Sequence, residues 1–175
     1  MRIVISGHTG FVGGHLLRNL NLHFPNHNLI LLNKEDFKSQ NFGDKIEKSD
    51  LIFHLAGVNR ADTEIELYEQ NVRLNQALLV HLIKIKFSGK LFFSSSLQED
   101  TNTLYGKAKK EARFKFEELS KEVGFNFSYL KIPNVFGPFC KPNYNSFIAT
   151  FSYKLLNKET PNIIKDNKVV LIYMT

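Results

Sequence analysis

A doubly wound α/β fold built on a parallel sheet is predicted by three observations. Short apolar runs alternate with longer segments of helical period, which argues for parallel strands covered by helices on both faces. A glycine-rich turn, Gly7-x-x-Gly10-x-x-Gly13, separates the first apolar run from the first helical segment. Further glycine, serine and asparagine motifs fall where apolar runs end, the edge at which open parallel sheets bind ligands.

Each element follows in chain order. Residues Arg2 to Ser6 form a β-branched first strand, and Phe11, Val12, His15, Leu16, Arg18, Asn19 and Leu20 continue in helical register. Asn28 to Leu32 is the second strand, and Asp50 to Ala56 the third, running into a turn at Gly57-Val58-Asn59-Arg60. A long helix is expected from Glu64 to Lys86, with Leu67, Val72, Leu74, Leu78, Leu79, Leu82 and Ile83 as its apolar stripe and Ser88-Gly89 as its break. Lys90 to Phe93 is the fourth strand, closing at Ser94-Ser95-Ser96. A helix from Tyr105 to Val123 ends at Gly124, the residue type that favours a left-handed C-cap. Phe125 to Ile132 is the fifth strand, stopped by Pro133. Asn134 to Pro138 reads as a loop, followed by a helix from about Asn145 to Asn157.

Strand, glycine turn and helix in that order make the context of a dinucleotide site. Glycines let backbone N–H groups approach a pyrophosphate seated on a helix N-terminus. Gly7, Thr9, Gly10, Phe11, Val12 and Gly13 are therefore the candidate residues of that turn. At the end of the second strand, where an acid would grip the ribose 2′-hydroxyl of NAD, the chain has Asn33 and Lys34. A lysine suits the 2′-phosphate, so NADPH is the expected cofactor and NADH the alternative. Glu35 and Asp36, one and two positions later, pull the other way.

The proton chemistry centres on Tyr105 and Lys109. Residues four apart share a helix face, and a neighbouring cation lowers a phenol's pKa by favouring the phenolate. Nine residues earlier, Ser96 supplies a hydroxyl able to hold a substrate oxygen. Together these can move a proton on and off an alcohol or ketone oxygen.

Composition sets bounds. The 175 residues, 43% of them hydrophobic, suit one soluble domain with a sizeable core. A single cysteine, Cys140, suits a reducing cytoplasm, and the six scattered histidines suggest no metal site. The first strand starts at residue 2, so no signal peptide is expected, and no apolar stretch approaches a membrane span. The net charge of +6 is spread over lysines interleaved with Glu111, Glu117 and Glu118, so no nucleic-acid partner is expected. That charge also suits a diphosphate-bearing substrate.

The ordered set Gly7-x-x-Gly10-x-x-Gly13, His54-Leu55-Ala56-Gly57, Ser94-Ser95-Ser96, Tyr105-x-x-x-Lys109 and Pro133-Asn134-Val135-Phe136-Gly137 resembles the extended short-chain dehydrogenase/reductase family, the NAD-dependent epimerase/dehydratases of nucleotide sugars. Two stretches, His54 to Arg60 and Cys140 to Phe151, resemble its capsular-polysaccharide reductase subgroup, typified by CapF, as does the short Ser96-to-Tyr105 spacing. The resemblance implies a Rossmann-type fold and NADPH-dependent reduction, at C4, of a UDP-linked 4-keto-6-deoxy-2-acetamido sugar on the way to capsule or O-antigen precursors. By the match, Tyr105 gives its proton to the C4 oxygen, Lys109 lowers the Tyr105 pKa and binds the nicotinamide ribose, and Ser96 hydrogen-bonds the substrate. Leu55, Ala56, Gly57, Tyr105, Pro133, Asn134 and Val135 would line the cofactor. Asn59, Arg60, Asn134, Lys141 and Asn145 would face the nucleotide sugar, with Lys141 at the diphosphate. A homodimer formed through the two long helices is implied as well. Lys131 stands where the wider family often has arginine. Family members continue past Val170 with more of a substrate lobe, and the CapF-like ones with a cupin domain. The expectation is therefore a truncated chain, with residues from about 138 beginning the substrate region. Two other readings stay open: a catalytically impaired dinucleotide-binding remnant, and an epimerase or dehydratase of another UDP-sugar. For the last, Glu99 and Asp100 are the available acids, although both read as a solvated loop.

Overall fold

The computed structural model describes residues 1–163 and 168–175. They divide into two compact units, Met1–Lys131 and Ile132–Thr175.

The first unit is built on a five-stranded sheet of order β2-β1-β3-β4-β5. Its strands are β1 (Arg2–Ser6), β2 (Asn28–Leu32), β3 (Leu51–His54), β4 (Lys90–Ser96) and β5 (Asn126–Ile132). β1 pairs in parallel with β2 and β3, and β3 with β4. The register sets Ser6 beside Leu32 on one side and His54 on the other. The residues that follow these strands, Gly7, Asn33 and Leu55, therefore emerge at one edge. β4 extends through all three serines, so Ser96 leaves the sheet at that edge too.

Helices cover both faces. α1 (Phe11–His23) lays Leu16, Leu17 and Leu20 on Ile3, Ile5, Leu29, Leu31 and Phe53. The opposite face carries α2 (Phe42–Ile46), α3 (Glu64–Lys84) and α4 (Leu104–Val123), packed on Val4, Ile52, Leu91 and Phe93. Period-2 alternation within one strand thus feeds two cores: Ile3 and Ile5 face α1, whereas Val4 faces the other layer. Fully buried Phe42, Phe93 and Phe116 are the largest side chains of that second core. α3 starts at Thr63, whose side chain accepts from Glu66 N, and α4 at Thr103, whose side chain accepts from Gly106 N. α4 ends as expected at Gly124, with φ +90°. α3 and α4 lie side by side within this one chain, and Tyr68 Oη donates to Glu111 Oε2 at 2.8 Å.

The second unit contains β6 (Asn134–Phe136), α5 (Phe147–Leu156) and β7 (Leu171–Tyr173). β6 and β7 pair in parallel, so the segment expected to be a loop from Asn134 is a short strand. Its partner is too distant in sequence for local periodicity to reveal. The helix expected over 145–157 begins two residues later, because Ser146 caps it by accepting from Ala149 N.

A buried polar chain ties the ends of β1 and β3 to α3. Asn75 Nδ2 donates to Asn71 O at 2.7 Å, which leaves Asn75 Oδ1 to accept from His54 Nε2 at 3.0 Å. His54 Nδ1 must then accept, and it does so from Ser6 Oγ at 2.7 Å. His54 is fully buried, and that burial, helped by the nearby Lys109 charge, lowers its pKa to about 3. The unfolded chain binds a proton at about 6.5, so stability falls as pH drops from 6.5 towards 3. The contribution is about 1.4 kcal/mol per pH unit. Urea unfolding of the wild type against His54→Gln over that range should show the wild type losing stability more steeply.

Candidate active site

Three glycines shape the first turn, for different reasons. Gly7 has φ +74°, and a Cβ there would stand 2.6 Å from Ala56 N. Its freedom thus serves both the turn and the close approach of the β3 end. A Cβ on Gly13 would stand 2.1 Å from Gly7 O, so the first turn of α1 packs directly on the glycine loop. Gly10 is the N-cap of α1, supplies no side chain, and donates its N–H to Gly7 O at 3.0 Å. The first turn of α1 carries no acidic residue. Its N–H groups and dipole are thus available to an anion beyond β1. Thr9 is exposed there, and Phe11 and Val12 are half-buried at the helix start.

The end of β3 closes onto this turn. Leu55 N donates to Ser6 O at 3.2 Å and Ala56 N to Ser6 Oγ at 3.3 Å. Asn71 on α3 then clamps the next turn: Nδ2 donates to Val58 O at 2.7 Å while Oδ1 accepts from Val58 N at 3.1 Å. A Cβ at Gly57 would lie 3.0 Å from Lys109 Nζ. Gly57 therefore brings the β3 turn directly against the candidate catalytic lysine. Asn59 and Arg60 follow, both exposed.

Lys109 is 3% exposed and donates from Nζ to Ser94 O at 3.0 Å. The ammonium also lies 5.9 Å from the Tyr105 ring centroid and 5.1 Å from that of Phe93. Burial lowers the Lys109 pKa to about 8, opposed by the Glu99 carboxylate. Burial raises the Tyr105 phenol above its ordinary value. This corrects the expectation that Lys109 would hold Tyr105 low: in this structure burial of the phenol moves the value upwards. The phenol is consequently kept protonated, the state of a proton donor, beside a cation able to stabilise the phenolate left behind.

The three serines divide their work. Ser94 Oγ donates to His54 O at 3.2 Å, and Ser95 Oγ donates to the Glu99 carboxylate. Ser96, half-buried at the strand end, accepts from Gln98 N at 3.2 Å. Its own hydroxyl hydrogen remains for a ligand oxygen.

Glu99 is not the solvated loop acid the sequence suggested. It is 2% exposed and accepts from Arg113 Nε at 3.2 and 2.9 Å, with Lys131 Nζ at 3.8 Å. Asp100 is exposed and pairs with Lys131 at 3.0 Å. Lys131 thus has a role: it closes the Glu99–Arg113 cluster under the loop that joins Ser96 to Tyr105. Gly106 seats α4 on that same loop, since a Cβ there would stand 1.9 Å from Gln98 O. Gly106→Ala should therefore cost at least the ~1–3 kcal/mol typical of overpacking, read as a lowered urea midpoint.

At the β2 end, Asn33 and Lys34 are exposed, and Asn33 N donates to Asp36 Oδ2 at 2.7 Å. Of the other expected residues, Pro133 is half-buried, Asn134 and Val135 lie on β6, and Lys141 and Asn145 are exposed ahead of α5, all in the second unit. The structure brings together Gly7, Gly13, Ala56, Gly57, the serines, Tyr105 and Lys109 in the first. Among the described residues, no group of His, Cys, Asp or Glu is arranged to hold a metal ion, and no helix is long and apolar enough to cross a membrane.

Sequence reasoning missed Ser6, Asn71, Asn75, Arg113 and Gly106. A signal existed for the two asparagines: they stand four apart and in phase with Leu78 and Leu82 on the buried stripe of α3.

Comparison with known proteins agrees with this architecture. A UDP-2-acetamido-2,6-beta-L-arabino-hexul-4-ose reductase of Pseudomonas aeruginosa is 32% identical over 99% of this chain and 46% of its own length. The crystal structure of the capsular polysaccharide assembling protein CapF of Staphylococcus aureus matches with TM-score 0.81 at 33% identity, covering 99% of this chain and 47% of that one. A UDP-glucose 4-epimerase of Thermotoga maritima has the same fold, with TM-score 0.82 at 21% identity and 70% of its chain covered. This chain thus spans about half the length of the first two. The model of the NAD dependent epimerase/dehydratase family matches residues 3–171. With the glycine turn, the clamped β3 turn and the Ser96, Tyr105, Lys109 set on one sheet edge, the chain belongs to the NAD dependent epimerase/dehydratase family.

Proposed function

We propose that this chain carries the cofactor-binding and proton-transfer half of an NADPH-dependent reductase, which reduces the 4-keto group of a UDP-2-acetamido-2,6-dideoxy-hexulose for capsule or O-antigen precursors. The observation that carries this reading is the Tyr105–Lys109 pair. A protonated, desolvated phenol sits four residues from a buried ammonium that is anchored on the strand ending at Ser96. The relatives' names, a hexul-4-ose reductase and CapF, support the reductase direction and the sugar.

The cofactor supplies the hydride. The chain's residues do the rest. Ser96 donates its hydroxyl hydrogen to the carbonyl oxygen and holds it. Tyr105 gives the same oxygen a proton as negative charge develops there. Lys109 stabilises the resulting phenolate and hydrogen-bonds the nicotinamide ribose. Gly7, Gly10 and Gly13 with Thr9, Phe11 and Val12 cradle the pyrophosphate, and Leu55, Ala56, Gly57, Pro133, Asn134 and Val135 line the nicotinamide side. Asn59, Arg60, Asn134, Lys141 and Asn145 face the UDP-sugar. The working form is a cytoplasmic homodimer.

Because the chain spans about half of its relatives' length, a second reading holds that it binds the dinucleotide and turns nothing over. Retention of the whole first-unit cradle favours binding under either reading. NADPH fluorescence titration, paired with an assay of NADPH oxidation on the 4-keto UDP-sugar, separates them. Binding with turnover supports the reductase, binding alone supports the remnant, and no binding contradicts both.

A further inference from the structure

The turn after β2 contains an acid whose two oxygens are both engaged. Asp36 is 9% exposed. Its Oδ2 accepts from Asn33 N at 2.7 Å and its Oδ1 from Lys45 Nζ at 2.6 Å. Asp36 N in turn donates to Asn33 O at 3.2 Å, so residues 33 to 36 close on themselves with Lys34 and Glu35 at the exposed tip. Lys45 comes from α2, nine residues away in sequence, and its side chain is 44% exposed. The Lys45 hydrogen bond and charge, the Asn33 N–H and the nearby His8 all hold the Asp36 carboxyl below its ordinary pKa against the opposing effect of burial. His8 belongs to the glycine turn itself, and Ser6 and Leu32 are register partners. The acid therefore sits between the end of β2 and the pyrophosphate turn, where the adenosine ribose of a dinucleotide lies in this fold.

An ionised acid at that place is the feature that would select a 2′-hydroxyl and repel a 2′-phosphate. Here it is folded back under its own turn. We propose that Lys45 is a specificity-determining residue for the nucleotide: by occupying Asp36 it removes one of the two acids from the 2′ position and leaves Lys34, next to Glu35 at the tip, as the cation that faces a 2′-phosphate. This rests on the NADPH reading above.

The test is fluorescence titration of the full chain with NADPH and NADH, which needs no sugar substrate. Wild type binds NADPH more tightly than NADH. Lys34→Met removes that advantage by lowering NADPH affinity more than NADH affinity. Lys45→Met lowers the NADPH-to-NADH affinity ratio by about fivefold to tenfold, the scale of one screened charge interaction. Adding Asp36→Asn to Lys45→Met restores the ratio, which a purely structural role for Lys45 would not predict. Lys45→Gln keeps a donor towards Asp36, shifts the ratio in the same direction by less, and serves if the methionine variant fails to fold. A ratio unchanged by both Lys45 variants, with Lys34→Met still collapsing it, overturns the role of Lys45 and leaves the NADPH reading standing. A wild type that prefers NADH overturns both.

Discussion

Tyr105→Phe lowers turnover of the 4-keto UDP-sugar by about 10²- to 10⁴-fold, the usual worth of a positioned general acid, and leaves NADPH binding unchanged. The reason is local. The ring stays, so the packing of α4 and the 5.9 Å approach of Lys109 Nζ to its centroid are kept. Only the donated proton is lost. Ser96 can still hydrogen-bond the ketone oxygen and Lys109 can still bind the ribose, so the defect falls on kcat rather than on cofactor affinity. Steady-state kinetics beside the fluorescence titration check the split. Equal loss of binding and turnover would instead make holding the cofactor, rather than giving a proton, the main work of the Tyr105 hydroxyl.

Lys109→Met abolishes turnover and at the same time removes one pH-dependent part of the stability profile. The folded protein holds this lysine at a pKa of about 8, against an ordinary value of 10.5. Between those two values the unfolded state binds more protons than the folded one, so wild-type stability rises with pH across that window. Below about pH 8 the burial of the ammonium costs the fold at most ~3 kcal/mol. Loss of the hydrogen bond to Ser94 O removes about 1 kcal/mol of the gain from methionine. The variant is therefore the more stable protein at neutral pH, and its advantage shrinks by about 1.4 kcal/mol per unit as pH rises from 8 to 10.5. Urea midpoints at pH 7, 9 and 10 measure this. Such a trade, stability given up for a charge that packing alone would not select, marks a functional lysine.

Regular elements were legible in the sequence because each has a local cause. β2 runs from Asn28 to Leu32 as expected, and α4 starts one residue before Tyr105 and ends at Gly124. The candidate site was legible as far as its motifs: of those expected at one edge, Gly7, Gly57 and Ser96 do emerge there, with Lys109 against Gly57, whereas the Asn134 segment lies on β6 of the second unit. What joins them was not, because it is made by contacts distant in sequence. Ser6 reaches His54 across 48 residues, and Lys109 reaches Ser94 across 15. Burial was the other blind spot. Lys109 stands in a run with Lys107 and Lys110, both exposed, yet is itself enclosed, and Glu99 lies beneath the loop that Asp100 exposes. Residue type favours solvent for each, and only the opposite charge or carbonyl supplied by the fold makes their burial affordable. The Tyr105 pKa follows the same logic: sequence showed the cation, whereas the enclosure that raises the phenol exists only in three dimensions.

Deuterium transfer tests the central claim most directly. The protein is incubated with 4-deuterated NADPH and the UDP-linked 4-keto-6-deoxy-2-acetamido sugar, and the sugar is analysed by mass spectrometry and NMR. The account predicts a reduced sugar carrying the deuterium at C4 with wild type and almost none with Tyr105→Phe. Wild-type product without deuterium at C4, or the same labelled yield from both proteins, would contradict it.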